Sequence, residues 1–226
     1  AQADAQTASD NSAEDAAAEA DSVPEDQLLS SREQFSVAAK ASLLIDLNTN
    51  RVVYEQDADE RVYPASLTKI MTCLIALENG NLSDVVTVSE SALADLDEDS
   101  SVAGLVVGEQ MTLENLLYCM MVVSGNDACN VIAEHVAGSV TDFVRMMNQR
   151  AYELGCTNTH FNNPHGLHDE SHYTTARDLA IITQAALKSE NFRQIVDTYE
   201  YKLPDDNMRQ NIPKLKTPNM LIYQSM

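Results

Sequence analysis

The chain has 226 residues, room for one or two domains with a sizeable core. Its 35 acidic against 14 basic residues give a formal charge of −21, and no cationic patch offsets it, which argues against nucleic acid as a partner. No apolar run reaches the roughly 20 residues of a membrane span and no charged-then-apolar signal opens the chain, so it reads as soluble.

Residues 1–33 hold nine acidic residues, one basic residue and almost no large apolar side chain before Leu28. Such a segment buries too little surface to offset its ordering entropy, and it is expected to be a disordered acidic tail. A folded domain is expected over 34–226. "KASLLIDLNTNRVVYEQ" sets two β-rich runs around Asn48-Thr49-Asn50, a hairpin pattern. The period then changes. Leu67, Ile70, Met71, Leu74 and Ile75 follow the i, i+3, i+4, i+7, i+8 stripe of a helix packed on one face, stopped by Asn79-Gly80-Asn81. "TLENLLYCMMVV" and "DACNVIAEHVAG" predict two apolar helices separated by Ser124-Gly125-Asn126, with Gly138 closing the second. Ser139 with Asp142, and Thr175 with Asp178, have the spacing of capping pairs at the heads of two more helices. Between them "NTHFNNPHGLHDESHY" lacks a period and is rich in Asn, His, Pro and Gly, so it predicts a loop. "TYEYKLP" and "NMLIY" predict short strands. None of Cys73, Cys119, Cys129 and Cys156 has CxxC spacing, and buried free thiols are expected.

"PASLTKIMT" carries the first chemical signal. Ser66 and Lys69 lie at i and i+3, where helical side chains meet. A serine hydroxyl is a poor nucleophile until a base takes its proton, and a lysine partly removed from water can be that base. The backbone N–H of a serine at a helix start can also donate to an oxyanion. Lys69 is the only lysine between Lys40 and Lys188, and its apolar neighbours leave it little polar surface to decorate. Ser124 supplies a hydroxyl to relay a proton, and Asn126 an amide to orient the lysine. SxxK followed by SxN belongs to the serine acyl-enzyme signatures.

On "IDLNTNRVVYEQDADERVYPASLTKIMT", "SSVAGLVVGEQMTLENLLYCMMVVSGNDACNVIAEHVAGS", "FVRMMNQRAYELGCTNTHFNNPHGLHDESHYTTARDLAII" and a weaker "TPNMLI", the sequence resembles the low-molecular-mass penicillin-binding D-alanyl-D-alanine carboxypeptidases over about residues 37–222. The resemblance implies an α/β (α+β) fold of the β-lactamase/transpeptidase type, with an antiparallel sheet flanked by helices beside a mostly helical lobe. It implies Ser66 as the acylated nucleophile, Lys69 as its base, Ser124 as the proton relay and Asn126 as a substrate-binding residue. The implied substrate is a peptidoglycan pentapeptide ending in D-Ala-D-Ala, with β-lactams as covalent inhibitors. No cofactor or metal is implied, and the place of action is extracytoplasmic.

One element of the pattern is missing. These enzymes carry a Lys-Thr-Gly on an edge strand, and none occurs before Met226. Lys216-Thr217-Pro218 is a poor substitute because Pro218 has no N–H for that strand role. The chain is therefore expected to be truncated, with the last strands and any membrane anchor missing. Loss of one oxyanion donor is expected to slow the reaction about 10²- to 10³-fold. His160, His165, His168 and His172 crowd one loop, but without a helical HExxH or any cysteine at ligand spacing they do not read as a zinc site. The same residues serve three other readings: a β-lactamase, a D,D-endopeptidase or transpeptidase, and a non-catalytic peptidoglycan-binding module. No ExxLN segment accompanies the SGN, which weighs against the first.

Overall fold

The structure, a computed structural model, describes residues 37–94, 96 and 100–218. The acidic segment 1–33 and the strand expected in "NMLIY" lie outside the described residues. The chain opens with an antiparallel hairpin of β1 (Ser42–Asp46) and β2 (Arg51–Gln56). Its turn is the expected one: Asp46 Oδ1 accepts from the N–H groups of Asn48 and Thr49, and Asn50 takes φ 56°. In β2 half-buried and exposed residues alternate, the period of a strand covered on one face.

A 3-10 turn, Ala65–Leu67, then leads into α1 (Thr68–Asn79). Ser66 was expected in the first turn of this helix and lies just before it. Leu67, expected on the buried stripe, is 53 % exposed because the 3-10 turn rotates it away, whereas Met71, Leu74 and Ile75 are buried as predicted. Burial of each such side chain contributes about 1.5–3 kcal/mol. α1 is buried nearly all round, since Thr68, Lys69, Thr72, Cys73 and Ala76 are covered too. That is the pattern of a central helix rather than an amphipathic one.

Around α1 stand α3 (Leu113–Val122), α4 (Asn126–Ala137), α5 (Val140–Glu153), α6 (Ala176–Ala186) and α7 (Glu190–Val196). Between α1 and α3 come β3 (Val85–Thr87), the short α2 (Glu90–Ala94) and β4 (Gln110–Thr112), which pairs antiparallel with β3. Both predicted capping pairs form. Ser139 Oγ accepts from Asp142 N–H, and Thr175 Oγ1 from Asp178 N–H, each at 3.0 Å. Gly138, at φ 79°, closes α4 as expected. "TYEYKLP" contributes β5 (Glu200–Tyr201), paired with β6 (Leu215–Lys216), and Tyr201 stacks on Tyr118 of α3 with ring centroids 3.7 Å apart. Among the described residues the sheet component is three separate two-stranded pairs, so the fold is helix-rich. All four cysteines are free and buried. Among the described residues no helix is long and apolar enough to cross a membrane.

Candidate active site

Three segments converge on Ser66. The 3-10 turn and first turn of α1 supply Ser66 and Lys69, the α3–α4 corner supplies Ser124 and Asn126, and loop 160–172 supplies a backbone carbonyl. Ser66 Oγ lies 3.3 Å from Lys69 Nζ, and Ser124 Oγ–H donates to it at 3.1 Å. Lys69 Nζ donates to Asn126 Oδ1 at 2.7 Å and to the His165 carbonyl at 2.8 Å. All four predicted residues are therefore brought together. Ser66, Lys69 and Ser124 border a cleft of about 480 Å³ lined also by Pro64, Leu67, Met120 and Met121.

Lys69 is only 3 % exposed. Burial lowers its pKa from the ordinary 10.5, with Cys129 and Asp127 acting in the opposite direction. The Cys129 thiol is itself pushed up to about 12 by burial, so near neutral pH it carries no charge to keep the amine protonated. An uncharged amine has two N–H groups and one lone pair. When the amine is uncharged, Asn126 Oδ1 and the His165 carbonyl occupy its two N–H groups and the lone pair is left for the Ser66 hydroxyl. Ser66 itself is exposed to the cleft, with its hydroxyl between the amine and the Ser124 hydroxyl.

The local backbone is under strain at the points that matter. Ala65 takes φ 48° and Ser124 φ 61°, conformations that cost a non-glycine residue about 1–3 kcal/mol and persist only when the surroundings enforce them. In the Ser-Gly-Asn corner the unusual φ falls on the serine, not the glycine. Gly125 has an ordinary φ of −63° and is needed for closeness instead. A Cβ there would lie 2.9 Å from Asp127 Oδ1 and 3.0 Å from the Cys119 carbonyl.

Sequence reasoning missed the supports. Asp127, 2 % exposed, accepts from the N–H groups of Ala103, Leu105 and Ala128, and so ties the start of α4 to the strand-free stretch before β4. Its only sequence signal was its place beside Asn126. In loop 160–172, Asn163 Oδ1 accepts from Gly166 N–H at 2.6 Å, and Thr72 Oγ1 donates to the Pro164 carbonyl at 2.6 Å. Gly166, at φ 91°, rests directly on the turn: a Cβ would sit 1.8 Å from the Ala65 carbonyl oxygen. His165 contributes its carbonyl, while its ring is buried and pushed down to about 4 by burial and by Lys69. Among the described residues no group of His, Cys, Asp and Glu is arranged to hold a metal ion. Lys216 lies in β6 with its ammonium 3.3 Å from the Glu200 carboxylate.

A helix-rich α+β fold with a Ser-Lys pair at the start of a central helix and a Ser-x-Asn corner facing it defines the class of serine acyl-enzyme folds. The comparisons narrow this. Residues 28–226 match the family profile described as D-alanyl-D-alanine carboxypeptidase, peptidase S11, and the chain belongs to that family. It is 41 % identical over 181 residues to the D-alanyl-D-alanine carboxypeptidase DacF of Bacillus subtilis, covering 78 % of this chain and 44 % of that protein. Against DacC of Escherichia coli K12 the identity is 40 % over 160 residues, covering 67 % and 40 %. The chain thus spans less than half the length of these curated relatives. Among solved structures, the Streptomyces K15 DD-transpeptidase superposes with a TM-score of 0.77 at 31 % identity, covering 84 % of this chain and 77 % of that one. Penicillin-binding protein 5 of Haemophilus influenzae gives 0.76 at 34 % identity, covering 84 % and 55 %.

Proposed function

We propose that the protein is a serine D-alanyl-D-alanine carboxypeptidase acting outside the cytoplasm on peptidoglycan stem peptides. The observation that carries this reading is the buried Lys69 amine, with both N–H groups engaged and its remaining face 3.3 Å from Ser66 Oγ. Ser66 Oγ attacks the carbonyl of the penultimate D-alanine while Lys69 takes its proton. The developing oxyanion lies at the Ser66 backbone N–H. Ser124 then relays the proton from Lys69 to the leaving amine, which breaks the C–N bond, releases D-alanine and leaves Lys69 uncharged. Water next cleaves the ester on Ser66 with Lys69 again as base, and the proton returns to Ser66 Oγ. Asn126 orients Lys69 and offers its amide N–H group to the substrate backbone. A β-lactam enters the same path but leaves an ester that water reaches slowly.

The likeness to the K15 DD-transpeptidase favours one second reading, in which an amine rather than water accepts the acyl group. Nothing in the family assignment favours a β-lactamase or a non-catalytic module. Incubation with a fluorescent penicillin tests the proposal, on this chain and on any longer form that carries a Lys-Thr-Gly strand. A stable covalent label is expected, lost in Ser66→Ala and slowed about 10²- to 10⁴-fold in Lys69→Ala. Labelling that survives Ser66→Ala would refute the assignment. Release of D-alanine from a pentapeptide, with or without an added amine acceptor, separates the two readings.

A further inference from the structure

Loop 160–172 bonds α1 through three side chains of its first turns, and only one of these bonds uses a titratable side chain of the loop. Lys69 and Thr72 reach backbone carbonyls, whereas Thr68 Oγ1 lies 2.8 Å from His172 Nε2. Asn162 N–H donates to His172 Nδ1 at 3.0 Å. Since Nδ1 is an acceptor, the proton of the neutral ring sits on Nε2, and Nε2–H donates to Thr68. The ring is 2 % exposed and meets the edge of Phe161 at 5.7 Å between centroids. Thr68 joins the loop to the turn. Its N–H bonds the Ala65 carbonyl to close the 3-10 turn that carries Ser66, and its Oγ1 would lie 2.9 Å from a Cβ on Gly166.

We propose that His172 is a positioning residue: its Nε2–H tautomer pins Thr68 and thereby the turn that carries Ser66, and protonation at Nδ1 releases the pin. The proton added at Nδ1 would face Asn162 N–H, so that hydrogen bond is lost and the ring must turn. The relevance to acylation rests on the proposed role of Ser66. The charged or titratable neighbours are His165 and His160, Asp169 on the same loop, and Lys69 on α1 behind His165. Burial takes the His172 ring down to about 4, with Asp169 opposing the shift and His160 adding to it. The pin is therefore intact near neutral pH and lost in acid.

Two variants separate the ring nitrogens, because glutamine places its amide near Nε2 and asparagine near Nδ1. The rate of labelling by a fluorescent penicillin is measured from neutral pH down to about pH 4. His172→Asn is expected to slow labelling about 10- to 100-fold near neutrality. His172→Gln is expected to recover most of that loss and to flatten the acid limb of the wild type. Equal losses in both variants, or an unmoved acid limb in His172→Gln, would overturn the proposal. An NMR titration of the wild-type chain decides independently of activity. The backbone amides of Ala65 and Ser66 should follow the His172 ring as it protonates; if they do not move, the pin does not exist. A chain that never labels would instead fail the acyl-enzyme reading and leave the NMR result to judge the pin.

Discussion

Lys69 is held from two sides by supports of opposite character. At the α3–α4 corner the support is a side chain, Asn126 Oδ1, presented by the first residue of a helix whose start is fixed by a buried carboxylate. At loop 160–172 it is a backbone carbonyl, that of His165, fixed by an asparagine turn, a glycine seated on the facing turn and a neutral histidine. The corner relies on charge-assisted bonds to Asp127, which are about twice as strong as neutral ones. The loop relies on close packing and an uncharged ring. The two sides should therefore fail differently, the corner by loss of charge and the loop by added volume or added protons.

The largest effect should come from adding one carbon to the loop. In Gly166→Ala the new Cβ collides with the Ala65 carbonyl at a φ that disfavours any side chain, so the loop or the turn must move. Penicillin labelling should fall by about 10²-fold or more, and a rate equal to wild type would show that the loop does not bear on Ser66. Asp127→Asn breaks the other side. It replaces a carboxylate that accepts from three N–H groups by an amide with one acceptor oxygen, so urea unfolding should show a loss of about 3 kcal/mol, and a loss within error would refute the clamp.

How far the sequence foretold this arrangement differs between the two sides. Ser66, Lys69, Ser124 and Asn126 meet through side chains at fixed spacings, and residue types at fixed spacings can be read directly. The His165 carbonyl cannot be read that way, because every residue has one and only the folded loop aims it. The same holds for Gly125, which the structure needs for close approach while the positive φ falls on Ser124. The helices were legible from period and caps. The exposure of Leu67 was not, because a 3-10 turn breaks the helical period one residue before α1 begins.

Acid sharpens the comparison further. His165 and His172 both have folded pKa values of about 4 against an ordinary 6.5, so the unfolded chain binds more protons between those limits. The stability they contribute is fully present above about 6.5 and is lost as pH falls toward 4. Urea midpoints measured across that window should fall with pH, and the slope should be shallower in His172→Gln. The smallest effect is expected far from both supports. Ser139→Ala removes the cap of α5 and should cost about 1 kcal/mol without altering labelling near neutral pH.

The central claim is that Lys69 reaches Ser66 as an uncharged amine, and the most direct measurement is a nitrogen-detected NMR titration of its side-chain amine, assigned with Lys69→Arg. The account predicts deprotonation clearly below the 10.5 of an ordinary lysine, because burial outweighs the opposing Asp127 carboxylate. An amine that keeps its proton up to the ordinary value would contradict it.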